Sequence, residues 1–286
     1  MALRACLQFL APIALAHFLV FLLIGALPDP AVSMLGVSSA NQEVLRRAQD
    51  GSNPGSYLSV LQDLAQGSLG HSLDHTPVSD ELRRAILESA PRLALSLALI
   101  VAAAIMVAFL PNCALPLVGQ LSGLFAFLPP FVAPFVGVGL LLWTRGSQRA
   151  FDDNLWWWAC CLATAAPGAA LAASQAAQVT LQNLGAPFAR THRAFGASPL
   201  RLRVTLVHNL TVELIPTLEK LAVGLLSAAL FAEPVLGLSG LGTLTVRAIR
   251  RTDMAVLLGI VLVSATTVSL CRALAANIRA RYGVAG

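Results

Sequence analysis

Two histidines with an acid between them are the first residues whose types and spacing could do chemistry. His71 and His75 stand four positions apart, and Asp74 precedes the second of them. On a helix, the two imidazoles would share a face and could ligate a metal ion. Two nearby glycines and Pro77 instead favour a loop. We therefore interpret both histidines as solvated loop residues and predict no metal site.

The cysteines and the catalytic motifs give no reaction centre. Cys160 and Cys161 are adjacent within an apolar run, and the other three cysteines are scattered along the chain. Small buried packing residues explain them better than redox work. No Gly-x-Ser-x-Gly elbow and no His-Glu-x-x-His sequence occurs. The sequence thus predicts no catalytic residue and no cofactor in this chain.

Three charged residues lie in or just before an apolar run and need an explanation. They are Glu213, Glu219 and Lys220, and an unpaired charge inside a membrane costs several kcal/mol. Neighbouring residues on a helix do not face each other, so Glu219 and Lys220 cannot easily pair. Either both side chains reach the membrane surface, or Lys220 lies about 14 Å deep and faces a cavity or a partner. On the second interpretation, Glu219 and Lys220 are candidates for a translocation path, together with Pro129 and Pro130.

Composition identifies the class of protein. Of the 286 residues, 57% are hydrophobic and only 12% are charged, whereas soluble domains carry roughly 25% charged residues. The sequence therefore predicts an integral membrane protein. The single lysine, Lys220, follows no glycine-rich turn, so the chain lacks the phosphate-binding loop of P-loop ATPases. The formal charge of +5 comes from arginines beside apolar runs, which indicates membrane topology rather than nucleic-acid binding.

Six apolar runs are long enough for helices that cross the bilayer, which needs roughly 20 residues each. They cover residues 6–27, 91–110, 115–143, 155–177, 211–232 and 254–270. The predicted fold is all-α, with about six transmembrane helices in one domain over residues 1–286. Prolines in the middle of the third run should kink or break its helix. A cleaved signal peptide explains the first run less well, because the run is long and ends without an Ala-x-Ala-like site.

Arginine positions predict the orientation. Cytoplasmic loops are enriched in Lys and Arg, so residues 186–210 and both chain ends are expected inside, which an even number of crossings allows. Residues 28–90 then form a polar extracytoplasmic loop, ending in an amphipathic helix over residues 77–88 that leads into the membrane. Arg247, Arg250 and Arg251 disagree with this rule, since they are expected outside.

The basic stretch from Pro187 to His208 is the strongest local pattern. Apolar and basic residues alternate around Gly196, which predicts a short amphipathic helix, a turn at Gly196 and a second helix. Such an element can dock into a groove of a partner protein. The same composition also suits a basic helix resting on anionic lipid, and the sequence leaves both alternatives open.

Four stretches resemble the permease subunit of bacterial dipeptide, oligopeptide and nickel ABC importers, a type I importer family. Residues 27–31, Leu-Pro-Asp-Pro-Ala, resemble its Leu-Pro-Gly-Asp-Pro-Ala without the glycine, and residues 67–72, Gly-Ser-Leu-Gly-His-Ser, resemble its outside-loop signature. Residues 190–196, Arg-Thr-His-Arg-Ala-Phe-Gly, resemble its coupling motif, with His192 and Phe195 replacing an alanine and a lysine. Glu233, Gly240-Leu-Gly242 and Asp253 resemble its Glu, Gly-Leu-Gly and Arg-Asp run.

The resemblance implies a function and a set of partners. This chain is expected to form half of a translocation path in the bacterial inner membrane with a second, homologous permease subunit. Two ATPase subunits, which hold ATP and Mg²⁺, are expected to bind the cytoplasmic loop, and an extracytoplasmic binding protein to deliver a peptide or a related small solute. The residues that the resemblance assigns to ATPase coupling are Arg190, His192, Arg193, Ala194, Phe195, Gly196, Ala197, Ser198 and Pro199. A standalone channel or a membrane enzyme is the alternative.

Overall fold

The computed structural model describes residues 2–26, 57–127, 129, 132–145, 153–214, 217–251 and 253–282. Within these ranges all regular secondary structure is helical. The single exception is an isolated antiparallel β-bridge between His71 and Pro77. The helices are α1 (Ala2–Ala26), α2 (Tyr57–Ala65), α3 (Val78–Ala108), α4 (Leu115–Ala126), α5 (Val132–Arg145), α6 (Asp153–Gly185), α7 (Pro187–Ala194), α8 (Pro199–Leu214), α9 (Leu218–Val235), α10 (Leu241–Arg251) and α11 (Met254–Tyr282).

Three helices are long and apolar enough to cross a membrane, in the part of the chain that the structure describes. They are Val78–Ala108, Asn154–Gly185 and Met254–Arg281, with 31, 32 and 28 residues. At 1.5 Å per residue each exceeds the roughly 30 Å of the hydrocarbon layer. These helices correspond to the second, fourth and sixth predicted runs, although the first of them ends at Ala108, two residues before the predicted end of its run. In α1, the apolar part among the described residues is Phe9–Leu23.

The third predicted run is two helices, not one. Helix α4 has 12 residues and α5 has 14, so they measure about 18 and 21 Å, less than the hydrocarbon thickness. Pro129 lies between them and lacks the backbone N–H that a continuous helix requires. The predicted break is therefore confirmed. Pro130 lies outside the described residues.

The fifth predicted run also has different boundaries. Its expected start at position 211 falls inside α8, which continues to Leu214, and α9 runs from Leu218 to Val235. A proline at position 216 stands between the two helices in the sequence, and proline disrupts the hydrogen bonding of a helix interior. The prediction of one helix over residues 211–232 was wrong for this reason.

The amphipathic start of α3 is confirmed. The helix begins at Val78 with Asp80 and Glu81 in its first turn, where acids favour the helix dipole, and continues past Pro91 to Ala108 without a break. The residues before it, from Gln66 to Pro77, form a loop with positive φ at Gly67, Gly70 and His75. The predicted loop conformation around the two histidines is therefore confirmed as well.

The chain divides into two compact units. The first contains residues 1–89 and 239–270. Its core is formed by the first turns of α3, by α10 and by α11, with Val78, Leu82, Leu244 and Val256 buried. A Cβ at Gly259 would lie 2.7 Å from Leu82 Cδ1, so the absent side chain allows α11 to pack closely on α3.

The second unit contains residues 90–238 and 271–286, and α6 is its central helix. Helix α6 contacts α4, α5, α8 and α9, and a core of small and aliphatic residues fills the space around it. A Cβ at Gly168 would lie 2.5 Å from Ile100 Cδ1. The glycine next to Pro167 therefore permits the close approach of α3 to the middle of α6.

Candidate functional site

Helices α7 and α8 and the turn between them form a helix–turn–helix, residues 187–214, which we call the elbow. Prolines occupy the first position of both helices, where the missing N–H costs nothing. Gly196 has φ of +76°, and the amides of Gly196 and Ala197 donate to the carbonyls of Arg193 and His192 at 3.0 Å. This is a Schellman ending, which requires a left-handed residue. The predicted helix, turn and helix are confirmed.

The elbow presents basic and apolar side chains on its surface. Phe195 is 87% exposed and Leu200 is 66% exposed. Arg190 and Arg193 are exposed beside them. Of the nine predicted coupling residues, Ala197 is half-buried and the others are exposed. Their role in coupling stays a prediction.

The opposite side of the elbow is anchored to α6. Ala189, Leu202 and Leu206 are buried together, and Leu184 of α6 packs against this cluster. Leu184 also packs against the core around α6. Leu184 thus connects the buried side of the elbow to the core around α6.

Arg203 attaches the elbow to the end of α3, a contact that the sequence analysis did not predict. Its guanidinium donates to the Ala108 carbonyl and to Asn112 Oδ1, both at 2.6 Å. Partial burial lowers the pKa of Arg203 from its usual value, and the two acceptors offset that cost. The loop between α3 and α4 and the elbow are thus bonded to each other.

A polar cavity of about 230 Å³ lies between α6, α8 and α9. Its lining residues are Gln175, Gln178, Val179, Gln182, Leu214, Thr217 and Lys220. Thr217 Oγ1 donates to Gln175 Oε1 at 2.6 Å. Lys220 is exposed and forms no hydrogen bond or ion pair with another described side chain. The glutamines lie at positions i, i+3 and i+7 of α6, so they share one face of the helix, and this spacing is the signal that the sequence offers for the cavity.

The structure brings together only part of the predicted translocation path. Lys220 lines the cavity, and its place in a translocation path stays a prediction. Pro129 is exposed and is not a lining residue. The side chain of Glu219 lies outside the described residues, as Pro130 does.

The motif residues of the two polar loops in the first unit meet at Asp253. Ser72 Oγ donates to Asp253 Oδ2 at 2.6 Å, and the Leu73 amide donates to the same oxygen at 2.9 Å. The other carboxylate oxygen accepts from the Val256 amide at 3.2 Å and so caps α11. One acid therefore stabilises a helix start and holds a loop 180 residues away in sequence.

Two ion pairs join α10 to the first turn of α3 and to the loop before it. Arg247 binds Glu81 at 2.8 Å, and Arg251 binds Asp74 at 2.5 Å. Arg247 and Arg251 are two of the three arginines that disagreed with the orientation rule, Arg250 being the third. Arg247 has its acidic partner in the first turn of α3 and Arg251 in the loop before α3, so these two pairs carry no net charge.

Arg92 and Glu233 form a buried ion pair in the second unit. Arg92 Nη2 lies 3.0 Å from Glu233 Oε1, and the side chains are 6% and 1% exposed. Cys160 and Cys161 are buried on the neighbouring α6, as the packing interpretation predicted. Ser96 Oγ donates to the Cys161 carbonyl at 3.0 Å, so polar contacts join α3 to α6 at this level.

No cluster of three or more His, Cys, Asp or Glu side chains suited to a metal ion occurs among the described residues. No protein-family profile matches this sequence, and no curated protein is significantly similar to it. In the ranges that the structure describes, the fold is all-helical, with three helices long and apolar enough to cross a membrane.

Proposed function

We propose that this chain is the permease subunit of an ATP-driven importer of the bacterial inner membrane. It crosses the membrane six times with both termini in the cytoplasm, and the runs at 115–143 and 211–232 cross as broken helices. With a second, homologous permease subunit it forms the path for a peptide or a related small solute. It catalyses no reaction itself. Two ATPase subunits hold ATP and Mg²⁺, and an extracytoplasmic binding protein supplies the solute.

The observation that carries the proposal is the construction of the elbow. It exposes Phe195, Leu200 and several arginines on one side, a composition suited to a groove in a partner protein. On the other side it packs on α6 through Leu184 and bonds to the end of α3 through Arg203. An ATPase that moves the elbow would thereby move two membrane helices as rigid levers.

Loop pairing supports the proposed orientation. The loop before α3 bonds to residues of the 239–253 segment through Asp253 and two ion pairs. The loop after α3 bonds to the elbow through Arg203. In the six-crossing arrangement, the loop before α3 and the 239–253 segment are both extracytoplasmic. The loop after α3 and the elbow are both cytoplasmic. Each bonded pair therefore belongs to one side of the membrane.

The test is substitution of Gly196 in the assembled complex. A Cβ at Gly196 would have no atom within 4 Å, so Gly196→Val introduces no steric clash there. Its effect comes from the positive φ of this residue, which a valine adopts only with strain. Strain of roughly 1–2 kcal/mol should disturb the turn. We expect loss of solute-stimulated ATP hydrolysis while the complex stays assembled in the membrane.

Two matched variants control this experiment. Gly196→Asn keeps a residue that tolerates positive φ and should retain most of the coupling. Gly185→Ala introduces a Cβ into open space in a helical backbone, so it should leave coupling unchanged. Unchanged coupling in Gly196→Val would contradict the proposal. Solute movement by the purified chain without ATPases would favour a standalone channel instead.

A further inference from the structure

We propose that the cavity between α6, α8 and α9 binds the carboxylate group of a small solute. The inference rests on the proposed function in that this solute is the transported cargo. It adds a ligand class to a protein whose loops and motifs specify none. The inference is argued from three observations: the chemistry of the lining residues, the hydrogen bonds that they already make, and the size of the cavity.

The lining presents more hydrogen-bond donors than acceptors. The Lys220 ammonium has three donors and no acceptor, and it forms no bond with any other side chain in the described ranges. Thr217 already occupies Gln175 Oε1. The unbonded end of Gln175 is therefore its NH₂ group, which can only donate.

Charge selects an anion over a cation. Among the lining residues whose side chains the structure describes, Lys220 carries the only formal charge, and that charge repels a cation and attracts a carboxylate. Gln178 and Gln182 supply further NH₂ donors from the same face of α6. Charge-assisted hydrogen bonds to a carboxylate are about twice as strong as neutral ones. The described lining thus resembles a receptor for an oxyanion.

Cavity size limits the ligand. The volume of about 230 Å³ is below the roughly 300–1,000 Å³ of sites for drug-sized ligands. It suits a small solute or the carboxylate end of an extended one. A lipid phosphate offers the same oxyanion chemistry, so the experiment must separate a solute from a headgroup.

The single lysine of the chain permits a direct test. Reductive methylation with ¹³C-formaldehyde labels Lys220 and the chain amine and keeps the charge. The Lys220 signal is identified by its absence in Lys220→Arg. We expect a saturable chemical-shift change when N-acetylglycine is added to the full-length chain in phosphatidylcholine nanodiscs. N-acetylglycinamide, which lacks the carboxylate, should produce no saturable change.

A second experiment observes the NMR signal of the ligand, so binding can also be measured in variants that lack Lys220. In saturation-transfer NMR on the acetyl group, Lys220→Gln should weaken N-acetylglycine binding by about tenfold or more, because a charged hydrogen bond is lost. Gln178→Glu adds a negative charge to the lining and should weaken it comparably. Gln120→Glu makes the same change at an exposed position of α4 outside the cavity and should have no effect.

Three results would overturn the inference. These are no saturable change with N-acetylglycine, an equal change with the amide, or a Lys220 shift that phosphatidylglycerol alone produces and that N-acetylglycine does not displace. The last result would assign the site to a headgroup. If N-acetylglycine does not bind but Gly196→Val abolishes solute-stimulated ATP hydrolysis, only the carboxylate site is refuted. Binding without that coupling refutes the permease function and leaves the site standing.

Discussion

Arg92 and Glu233 illustrate what a single pair of residues does in this protein. They are 141 positions apart in sequence and meet at 3.0 Å in a nearly solvent-free environment. Removing two charges from water costs several kcal/mol per ion, which their attraction and hydrogen bonds repay only as a complete pair. The pair therefore specifies how α3 and α9 pack within the second unit.

Loss of one partner should be costly. We expect Glu233→Gln to destabilise the chain by about 3–5 kcal/mol, since Arg92 keeps a buried charge without its carboxylate. In detergent this corresponds to a fall in Tm of roughly 10 °C. Thermal unfolding followed by size-exclusion chromatography measures the change.

Two comparisons make the interpretation specific. Glu88→Gln removes the same charge at an exposed position of α3 and should change stability by less than about 0.5 kcal/mol. The double variant Arg92→Leu and Glu233→Leu should be more stable than Glu233→Gln, because no buried charge remains. Equal Tm values for Glu233→Gln and Glu88→Gln would refute the account.

At the scale of elements, the elbow depends on how its helices end and on what they bond. The Schellman ending at Gly196 reverses the chain, and Arg203 then fastens α8 to the last residue of α3. Among the side chains of α8 that the structure describes, Leu202, Leu206 and Leu210 are buried. The Arg203 bonds add a polar attachment to this apolar contact.

Arg203→Gln should loosen this attachment without unfolding the chain. We expect faster amide hydrogen exchange over residues 108–114 and 199–206, by about tenfold, as a charged hydrogen bond is worth roughly 1.5–3 kcal/mol. Mass spectrometry of the exchanged peptides measures it. Arg201→Gln is the control, because Arg201 is exposed and its side chain makes no bond to another described residue. Identical exchange in both variants would show that Arg203 attaches nothing.

For the whole molecule, the decisive property is which loops share a side of the membrane. Helix α3 measures about 46 Å at 1.5 Å per residue, more than the hydrocarbon layer. The loop before α3 and the 239–253 segment, which are bonded at the start of α3, are predicted on the extracytoplasmic side. The loop after α3 and the elbow, which are bonded at its end, are predicted on the cytoplasmic side. Native Cys113, exposed after α3, and Ser68, exposed before it, report on the two ends.

Thiol labelling tests this orientation. In a background with Cys6 and Cys271 changed to Ser, a membrane-impermeant maleimide should label Ser68→Cys in right-side-out vesicles. Cys113 should react only after the vesicles are opened, and Ser198→Cys in the elbow should behave as Cys113 does. The remaining cysteines, at 160 and 161, are buried. Labelling of the elbow from outside would overturn both the orientation and the proposed function.

Local physics explains which features were predictable. Long apolar runs produce helices because buried backbone groups in a bilayer must bond within their own segment. Proline removes a backbone donor, so the break near Pro129 follows from the residue itself. Gly196 tolerates a left-handed conformation that side chains resist, which makes the turn of the elbow predictable. Each of these inferences needs only residues that are close in sequence.

Long-range pairing is the part that only the tertiary structure decided. The sequence by itself predicted helices long and apolar enough to cross a membrane, and it located the elbow. It did not show that Arg203 bonds to Asn112, that Asp253 holds Ser72, or that Arg92 pairs with Glu233. The physical reason is that an arginine or a carboxylate has similar chemistry wherever it stands. Its partner is selected by the packing of helices far apart in the chain.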